Sequence, residues 1–271
     1  MVRFFKYKGG YMKRFITNIR KYFKYAVYAA RADLKSEVEG SYLNWIWWIL
    51  DPLCFMLIYI FVASVVFKSA EPYFPVFIFI GLTVWDFFNR SVNGSVKIVS
   101  SNRAIVTKIY IPKYILILQK SFVYLFKMGI SWLLVFGLMI IFRVPLSVHY
   151  IWFLPLLIIL YMVTFGLSCI LLHFGIFVED LSNITSLALR FVFYLSGIFY
   201  HIGKKVPAPY NDILLRCNPV AYIINAYRNI FIYNKMPSLL MMGAWTIVGI
   251  LLITIGIHII HKNENSYAKV I

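Results

Sequence analysis

Acidic residues are scarce here: 10 Asp and Glu stand against 27 Lys and Arg in 271 residues, and only 14% of the chain is charged. A soluble domain of this length would need more polar surface to cover its core. Cysteine is nearly absent. Of Cys54, Cys169 and Cys217, only Cys217 falls in a segment expected to lie outside the membrane, so no disulfide framework can hold an external domain within one chain. Catalytic signatures are missing as well. There is no HExxH, CxxC or GxSxG pattern, which leaves a metalloprotease, a redox enzyme or a serine hydrolase without residues. There is no GxxxxGK[ST] phosphate loop, so any nucleotide site must come from another chain. His258 and His261 lie three apart near the end of an apolar run, but with no second pair nearby they read as interfacial histidines. We therefore expect no catalytic residue, no metal site and no cofactor in this chain. The N-terminus carries basic residues without an apolar core and small-residue cleavage site, so no cleaved signal peptide is expected.

What is abundant is apolar residue, 62% of the chain. Crossing a hydrocarbon layer about 30 Å thick takes roughly 20 apolar residues. Six runs reach or approach that length, at 45–67, 74–92, 114–142, 150–174, 184–202 and 239–260. The expected fold class is an all-α integral membrane protein with six transmembrane helices. The third run is longer than needed and is interrupted by Lys120 and Lys127, so its first turns are expected to project beyond the hydrocarbon.

The net charge of +17 suggests nucleic acid until the basic residues are placed. With the N-terminus in the cytosol, residues 1–44 hold ten Lys or Arg, the stretch after the second run adds Lys97, Arg103, Lys108 and Lys113, and the tail at 262–271 adds Lys262 and Lys269. The outer connections hold seven: Lys68, Arg143, Lys204, Lys205, Arg216, Arg228 and Lys235. The positive-inside rule favours this orientation, both termini cytosolic, with anionic lipid rather than nucleic acid as the partner of the basic excess.

Between the runs, 12–30 places Met12, Phe15, Ile16, Ile19, Tyr22, Phe23 and Ala26 near a 3.6 period among lysines and arginines, predicting an amphipathic interfacial helix. Trp45, Trp48, Pro52, Phe55 and Tyr59 fall on one face of the first run, an aromatic stripe that suits helix packing or the CH faces of sugar rings. Asp51 before Pro52 reads as a cap with a first-turn proline, predicting a restart or bend. Asp86 and Arg90, four apart, are expected to form a structural ion pair. The stretch 95–112 predicts a short helix across the cytosolic face, either another lipid-bound amphipath or a lever for a cytosolic motor. The loop after the fourth run carries Glu179 and Asp180 and no base, a docking spot for a basic surface or merely a solvated turn.

The stretch 201–234 is broken by Gly203, Pro207 and Pro209 and resumes at Asn218-Pro219, a helix-start signal. The apolar piece that follows is too short to cross, so it dips in and returns or lies at the interface. Non-helical backbone at that depth is tolerated where protein or a water-filled path satisfies it, which predicts a re-entrant external hairpin between the fifth and sixth spans that lines a passage.

The ordered pieces SYLNWIWWILDPLCFMLIYIFVASVVF, FIGLTVWDFFNRSVNGSVKIVSSNRAIVTKIYIPKY, FYLSGIFY, the KKVP break and NPVAYIINAYRN together resemble the membrane subunits of ABC-2 type transporters, specifically the exporters of O-antigen, teichoic acid and capsule-type polysaccharides. The resemblance covers about residues 30–260. It implies a homodimer of this chain bound to two copies of an ABC ATPase that supplies ATP and Mg sites, moving a polyprenyl-linked glycan through a domain at 45–261. It implies a coupling segment at about 95–112, with Arg103, Ile105, Lys108, Glu179 and Asp180 toward the ATPase, and a gate hairpin at about 201–234. Trp45, Trp48, Tyr59, Tyr194, Phe199 and Tyr200 are the aromatic residues expected near the glycan path. Two features depart from the family pattern: Asp33, Glu37 and Glu39 stand where a basic segment is usual, and Glu179-Asp180 where Arg-Asp is usual. The alternatives are an ABC-2 exporter of a drug or small lipid, a scaffold subunit uncoupled from ATP, or a membrane enzyme of glycan assembly. The last would have to use Asp51, Asp86 or His201.

Overall fold

The computed structural model describes residues 11–39, 42–62, 71–264 and 266–267. The end of the first expected span, Lys68 and Lys269 lie outside the described residues. Among those described there is helix and turn and no strand. Four long helices form the body: α3 (Phe74–Val96), α6 (Lys113–Ile141), α7 (Phe153–Phe177) and α12 (Leu239–Lys262). They are preceded by α1 (Tyr11–Val38) and α2 (Trp47–Phe61), and α8 (Leu181–Leu195) stands beside α3. Single turns α4 (Ile98–Ser101) and α5 (Arg103–Val106) occupy the stretch where one short helix was expected. After α8 come α9 (Ile202–Lys205), α10 (Tyr210–Cys217) and α11 (Pro219–Phe231).

Among the described residues, three segments are long and apolar enough to cross a membrane, Lys113–Ile141, Val148–Phe177 and Leu239–Lys262, with shorter apolar helices at Trp47–Phe61 and Leu181–Leu195. In a bilayer, helices gain little from burying one another's apolar side chains, because lipid is equally apolar, and close approach of backbones matters more. The α7–α12 crossing uses that device. A Cβ placed on Gly166 would stand 2.6 Å from Leu252 Cβ and 2.7 Å from the Ile253 amide nitrogen, and one on Gly256 would stand 2.6 Å from Cys169 Cβ.

The start of α1 and the end of α12 mark one end of the bundle, called here the terminal end. There Arg14 Nη2 donates to the Tyr110 hydroxyl (2.8 Å) and to Glu264 Oε2 (2.9 Å), and the Tyr110 hydroxyl donates to Glu264 Oε1 (2.5 Å). Burial opposes ionisation of Glu264, but the nearby His261, the Tyr110 hydrogen bond and the Arg14 charge outweigh it and hold its pKa below the ordinary carboxylate value.

The stripe on α1 does not simply face lipid. Phe15, Ile19, Tyr22 and the buried Ala26 pack on the bundle, while Ile16 and Phe23 stay exposed. The helix runs on past its expected end, and the acidic residues there meet the lysines of α6: Lys120 Nζ lies 2.8 Å from Asp33 Oδ2 and Lys127 Nζ 2.5 Å from Glu37 Oε2. The two lysines that interrupt the third apolar run are thus matched by protein carboxylates about 90 positions away in sequence.

At the opposite end, Glu71 accepts from Lys204 Nζ (2.7 Å) and from the Tyr233 hydroxyl (2.6 Å), tying the approach to α3 to α9 and to the end of α11. Burial raises the Glu71 pKa, but the Lys204 and Tyr233 hydrogen bonds and the Lys204 charge prevail and place it below 4.5. A depressed folded-state pKa contributes stability that is present above the unfolded-state value and is lost as pH falls through the folded one. The thermal stability of the detergent-solubilised protein is therefore expected to fall as pH drops below about 4.5, with Glu71→Gln flattening that part of the profile. A profile unchanged by the substitution contradicts this.

The α8 run stops earlier than its apolarity suggested. The helix ends at Leu195, and 196–201 form an irregular turn in which Gly197 takes φ +65°. Asn218 caps α11 as expected, its Oδ1 accepting from the Val220 and Ala221 amides at 3.0 and 3.2 Å, while its Nδ2 donates to Ser196 Oγ at 3.0 Å. Ten of the thirteen α11 residues are buried, so the helix lies inside the protein rather than along a surface. Its aromatic side packs into a knot with α6 and α7, where Trp132 sits 4.8 Å from Tyr227 and 4.9 Å from Phe153 between ring centroids.

Arg228 departs most from its expected place. It was counted among the basic residues of an outer connection, yet it is 3% exposed. Its Nε donates to the Phe77 carbonyl at 3.1 Å, Nη1 to the Gly197 carbonyl at 2.7 Å and Nη2 to the Ile198 carbonyl at 2.6 Å, with the guanidinium 3.4 Å from the Phe77 ring centroid. The apolar flanks of NAYRN hide this: one long side chain crosses the packed interface to supply the donors that the irregular turn needs.

Candidate functional site

A cleft of about 750 Å³ opens between α2, α3, α6 and α8. Its lining follows one gradient on all four helices. On α2, Trp47, Trp48, Asp51 and Pro52 come first, then Phe55 and Tyr59. On α8, Ser186 and Arg190 precede Phe193 and Tyr194, and on α6 the lining residues are Lys127 and Ser131. On α3, which runs the other way, Phe79, Leu82, Thr83 and Trp85 come before Asp86, Asn89, Arg90 and Asn93. The charged residues therefore gather toward the terminal end, here called the mouth, together with Trp47 and Trp48, and the other aromatic residues line the part farther from it.

Local structure explains the α2 lining. The helix starts before Pro52 rather than at it, led in by a 3-10 turn at Asn44–Ile46, so the proline lies inside and Asp51 is not a cap. A proline has no amide hydrogen to offer the carbonyl of Trp48 four residues back. That carbonyl belongs to a residue lining the cleft, so the missing bond falls on the cleft side of the helix.

Of the aromatic residues predicted for a glycan path, Trp48, Tyr59 and Tyr194 line the cleft. Phe199 stands 4.6 Å from Tyr59 between ring centroids, and the Tyr200 hydroxyl donates to the Tyr194 carbonyl at 2.8 Å, so both support the wall. Trp45 is exposed in the turn before α2 and is not part of the lining. Sequence reasoning missed Trp85 and Phe193, which line the cleft with their rings 5.2 Å apart. Both belong to apolar runs whose inward face is set by packing. Thr83 lines the same region at 3% exposure, its hydroxyl without a hydrogen-bond partner among the described residues.

At the mouth, Arg90 Nε donates to both Asp86 oxygens, at 2.7 and 2.8 Å, and the pair is about half exposed to the cleft. Ser186 Oγ donates to Asn93 Oδ1 at 3.1 Å, joining α8 to α3. His201 lies at the other end of the bundle, its ring 5.4 Å from that of Tyr233, so the geometry does not gather it with Asp51 and Asp86.

The residues predicted to face a motor, Arg103, Ile105, Lys108, Glu179 and Asp180, are all exposed. Their two loops leave the same end of the bundle, because α7 and α3 meet where Gly175 faces the carbonyl of Val96, the last residue of α3.

The model of the family described as ABC-2 type transporter matches residues 28–232. The chain is 26% identical over 260 residues to the O-antigen export system permease protein RfbA of Myxococcus xanthus, covering 95% of this chain and 99% of that one. It is 27% identical over 261 residues to the O-antigen export system permease protein RfbA of Klebsiella pneumoniae, covering 94% and 97%.

Proposed function

The chain belongs to the ABC-2 type transporter family, and from that premise we propose that it is the membrane-spanning subunit of an exporter of lipid-linked polysaccharide, of O-antigen or teichoic acid type, in a bacterial cytoplasmic membrane. Two copies pair, and two copies of a separate ABC ATPase bind ATP and Mg and dock at the terminal end against Arg103, Ile105, Lys108, Glu179 and Asp180. In this reading both termini are cytosolic, α2, α3, α6, α7, α8 and α12 make six crossings, and α9 to α11 form a re-entrant hairpin on the outer side. A 13-residue α11 is about 20 Å long, too short to cross.

The observation that carries the reading is the cleft gradient. A polymer must leave each site it occupies, so its path needs weak, repeated contacts rather than one tight pocket. Aromatic faces along Phe55, Tyr59, Phe193 and Tyr194 supply such contacts, and the charged mouth faces the side from which a phosphate-linked glycan arrives.

The test is surface glycan measured in cells lacking the chromosomal copy and carrying variants of this chain. Loss of surface glycan on deletion and its return with the wild-type chain are expected. Trp48→Ala combined with Tyr59→Ala is expected to cut the export rate about tenfold, the equivalent of about 1.4 kcal/mol from two ring contacts. The variant's amount in the membrane should stay near that of wild type. Full glycan export in the double variant removes the aromatic path, and undiminished glycan on deletion removes the function.

A further inference from the structure

The mouth of the cleft is electrically balanced only because α1 reaches it. Arg90, Lys127 and Arg190 line it, with Asp51 and Asp86 as the lining carboxylates. Arg90 is held by Asp86. Lys127 is held by Glu37, which comes from α1 and is not part of the lining. Arg190 is exposed and has no ion-pair partner among the described residues. Among the described residues, and counting Glu37, three cations face three carboxylates. Without it, the mouth carries one net positive charge and two cations, Lys127 and Arg190, that no carboxylate holds.

We propose that this mouth binds a phosphate or diphosphate headgroup by ion exchange: the headgroup takes Lys127 from Glu37, Arg190 supplies the second cation, and the far end of α1 is released. The inference rests on the lipid-linked substrate proposed above and adds the site and the device that senses it. Three features favour exchange over simple addition. A headgroup entering the balanced mouth would meet Asp51 and Asp86 with no net attraction, whereas loss of Glu37 creates it. The Glu37 carboxylate already occupies the position on Lys127 that a phosphate oxygen would take, at 2.5 Å. And α1 need not leave the bundle, because Asp33 keeps Lys120 at 2.8 Å and accepts from Gln119 Nε2 at 3.0 Å. Release is thus confined to the last turn or so of the helix. The other end of the same helix holds Tyr110 through Arg14, next to the turns that carry Arg103 and Lys108.

The test uses the full chain with its partner ATPase in nanodiscs. The probes are undecaprenyl phosphate, undecaprenyl diphosphate, neutral undecaprenol and inorganic diphosphate. Binding is read by native mass spectrometry and by fluorescence of the cleft tryptophans. Amide exchange over 34–38 reads the release of α1. The phosphorylated lipids are expected to bind at least about tenfold more tightly than undecaprenol. Glu37→Gln is expected to tighten them about fivefold, since it removes the competing carboxylate. Arg190→Gln is expected to weaken them about tenfold. The double variant Glu37→Gln with Lys127→Gln keeps the α1 contact neutral and guards against misfolding. It should lose the tightening and show lipid-independent exchange at 34–38.

Equal binding of undecaprenol and its phosphates, no effect of Glu37→Gln, or no increase in exchange on adding lipid overturns the proposal. If inorganic diphosphate binds as tightly as the lipid, the exchange stands and the occupant is free diphosphate. The exporter reading is judged separately by surface glycan. Wild-type export with these binding tests negative removes the exchange alone, while lost glycan dependence with them positive removes the exporter alone.

Discussion

Replacing Arg228 with Met is expected to lower the stability of the folded protein by about 4 kcal/mol, among the largest losses any single substitution here should cause. Methionine fills much of the same volume, so the loss is one of donors rather than of packing. The carbonyls of Gly197 and Ile198 lie in an irregular turn, and Arg228 donates to each of them. Buried acceptors left unpaired cost about 1–3 kcal/mol each in protein, with the cost higher where neither water nor polar lipid can reach. The Phe77 carbonyl is less affected because it lies within α3, where the helix itself offers a donor. Against a total stability of about 5–15 kcal/mol, the loss is large enough to reduce the amount of protein in membranes. Arg228→Lys keeps the charge but has a single ammonium in place of the planar fork, so it should recover only part of the loss. Thermal melting in detergent and amide exchange at 196–201 give the readout. A melting temperature within about 2 °C of wild type for Arg228→Met would show that the turn is held by something else.

The same residue shows where the sequence could be read and where it could not. The limits of α6, α7 and α12 are legible within a few residues, because a long apolar run has one stable arrangement in lipid, the closed hydrogen-bonded helix. The end of α8 is not. The run at 184–202 stays apolar through Gly197, and the helix stops there because Arg228, thirty residues later, supplies the turn with hydrogen bonds. Apolarity measures where a segment can sit, not whether its backbone has partners. The Asp86 and Arg90 pair is legible because its spacing is local, and the Asp33 and Glu37 pairs are not because their lysines lie on another helix. What looked like a departure from the family's basic segment is a set of counter-charges. In the cleft, the α2 stripe is read correctly as one face from Trp48 to Tyr59. The facing wall on α3 and α8 carries a polar spacing, Asp86, Asn89, Arg90 and Asn93 on one and Ser186 and Arg190 on the other, but that these two polar faces turn toward α2 is set by packing between helices distant in sequence.

Gly175→Ala is expected to separate assembly from transport. Gly175 lies two residues before the end of α7, and a Cβ there would overlap the carbonyl oxygen of Val96 and stand 2.8 Å from its carbonyl carbon. Neither atom belongs to a flexible side chain, so the two helix ends must move apart. Overpacking of this kind costs about 1–3 kcal/mol, enough to shift the seam without unfolding the protein. The displaced seam is the one from which both exposed loops leave: 97–112 follows Val96 directly, and Glu179-Asp180 follows α7 within a few residues. An ATPase docked on both loops would then still bind but would no longer find them in one fixed arrangement. Export is expected to fall by at least about tenfold, since an ångström-scale misplacement far from the moving part can cost more than that. Co-purification of the ATPase should be nearly unchanged. Gly129→Ala is the matched comparison, because a Cβ there meets nothing within 4 Å and alanine favours a helix by up to about 1 kcal/mol. It should leave export intact and raise the melting temperature slightly. Equal export by the two variants would mean that α7 and α3 can part at that seam without cost, and that the two loops need no fixed spacing.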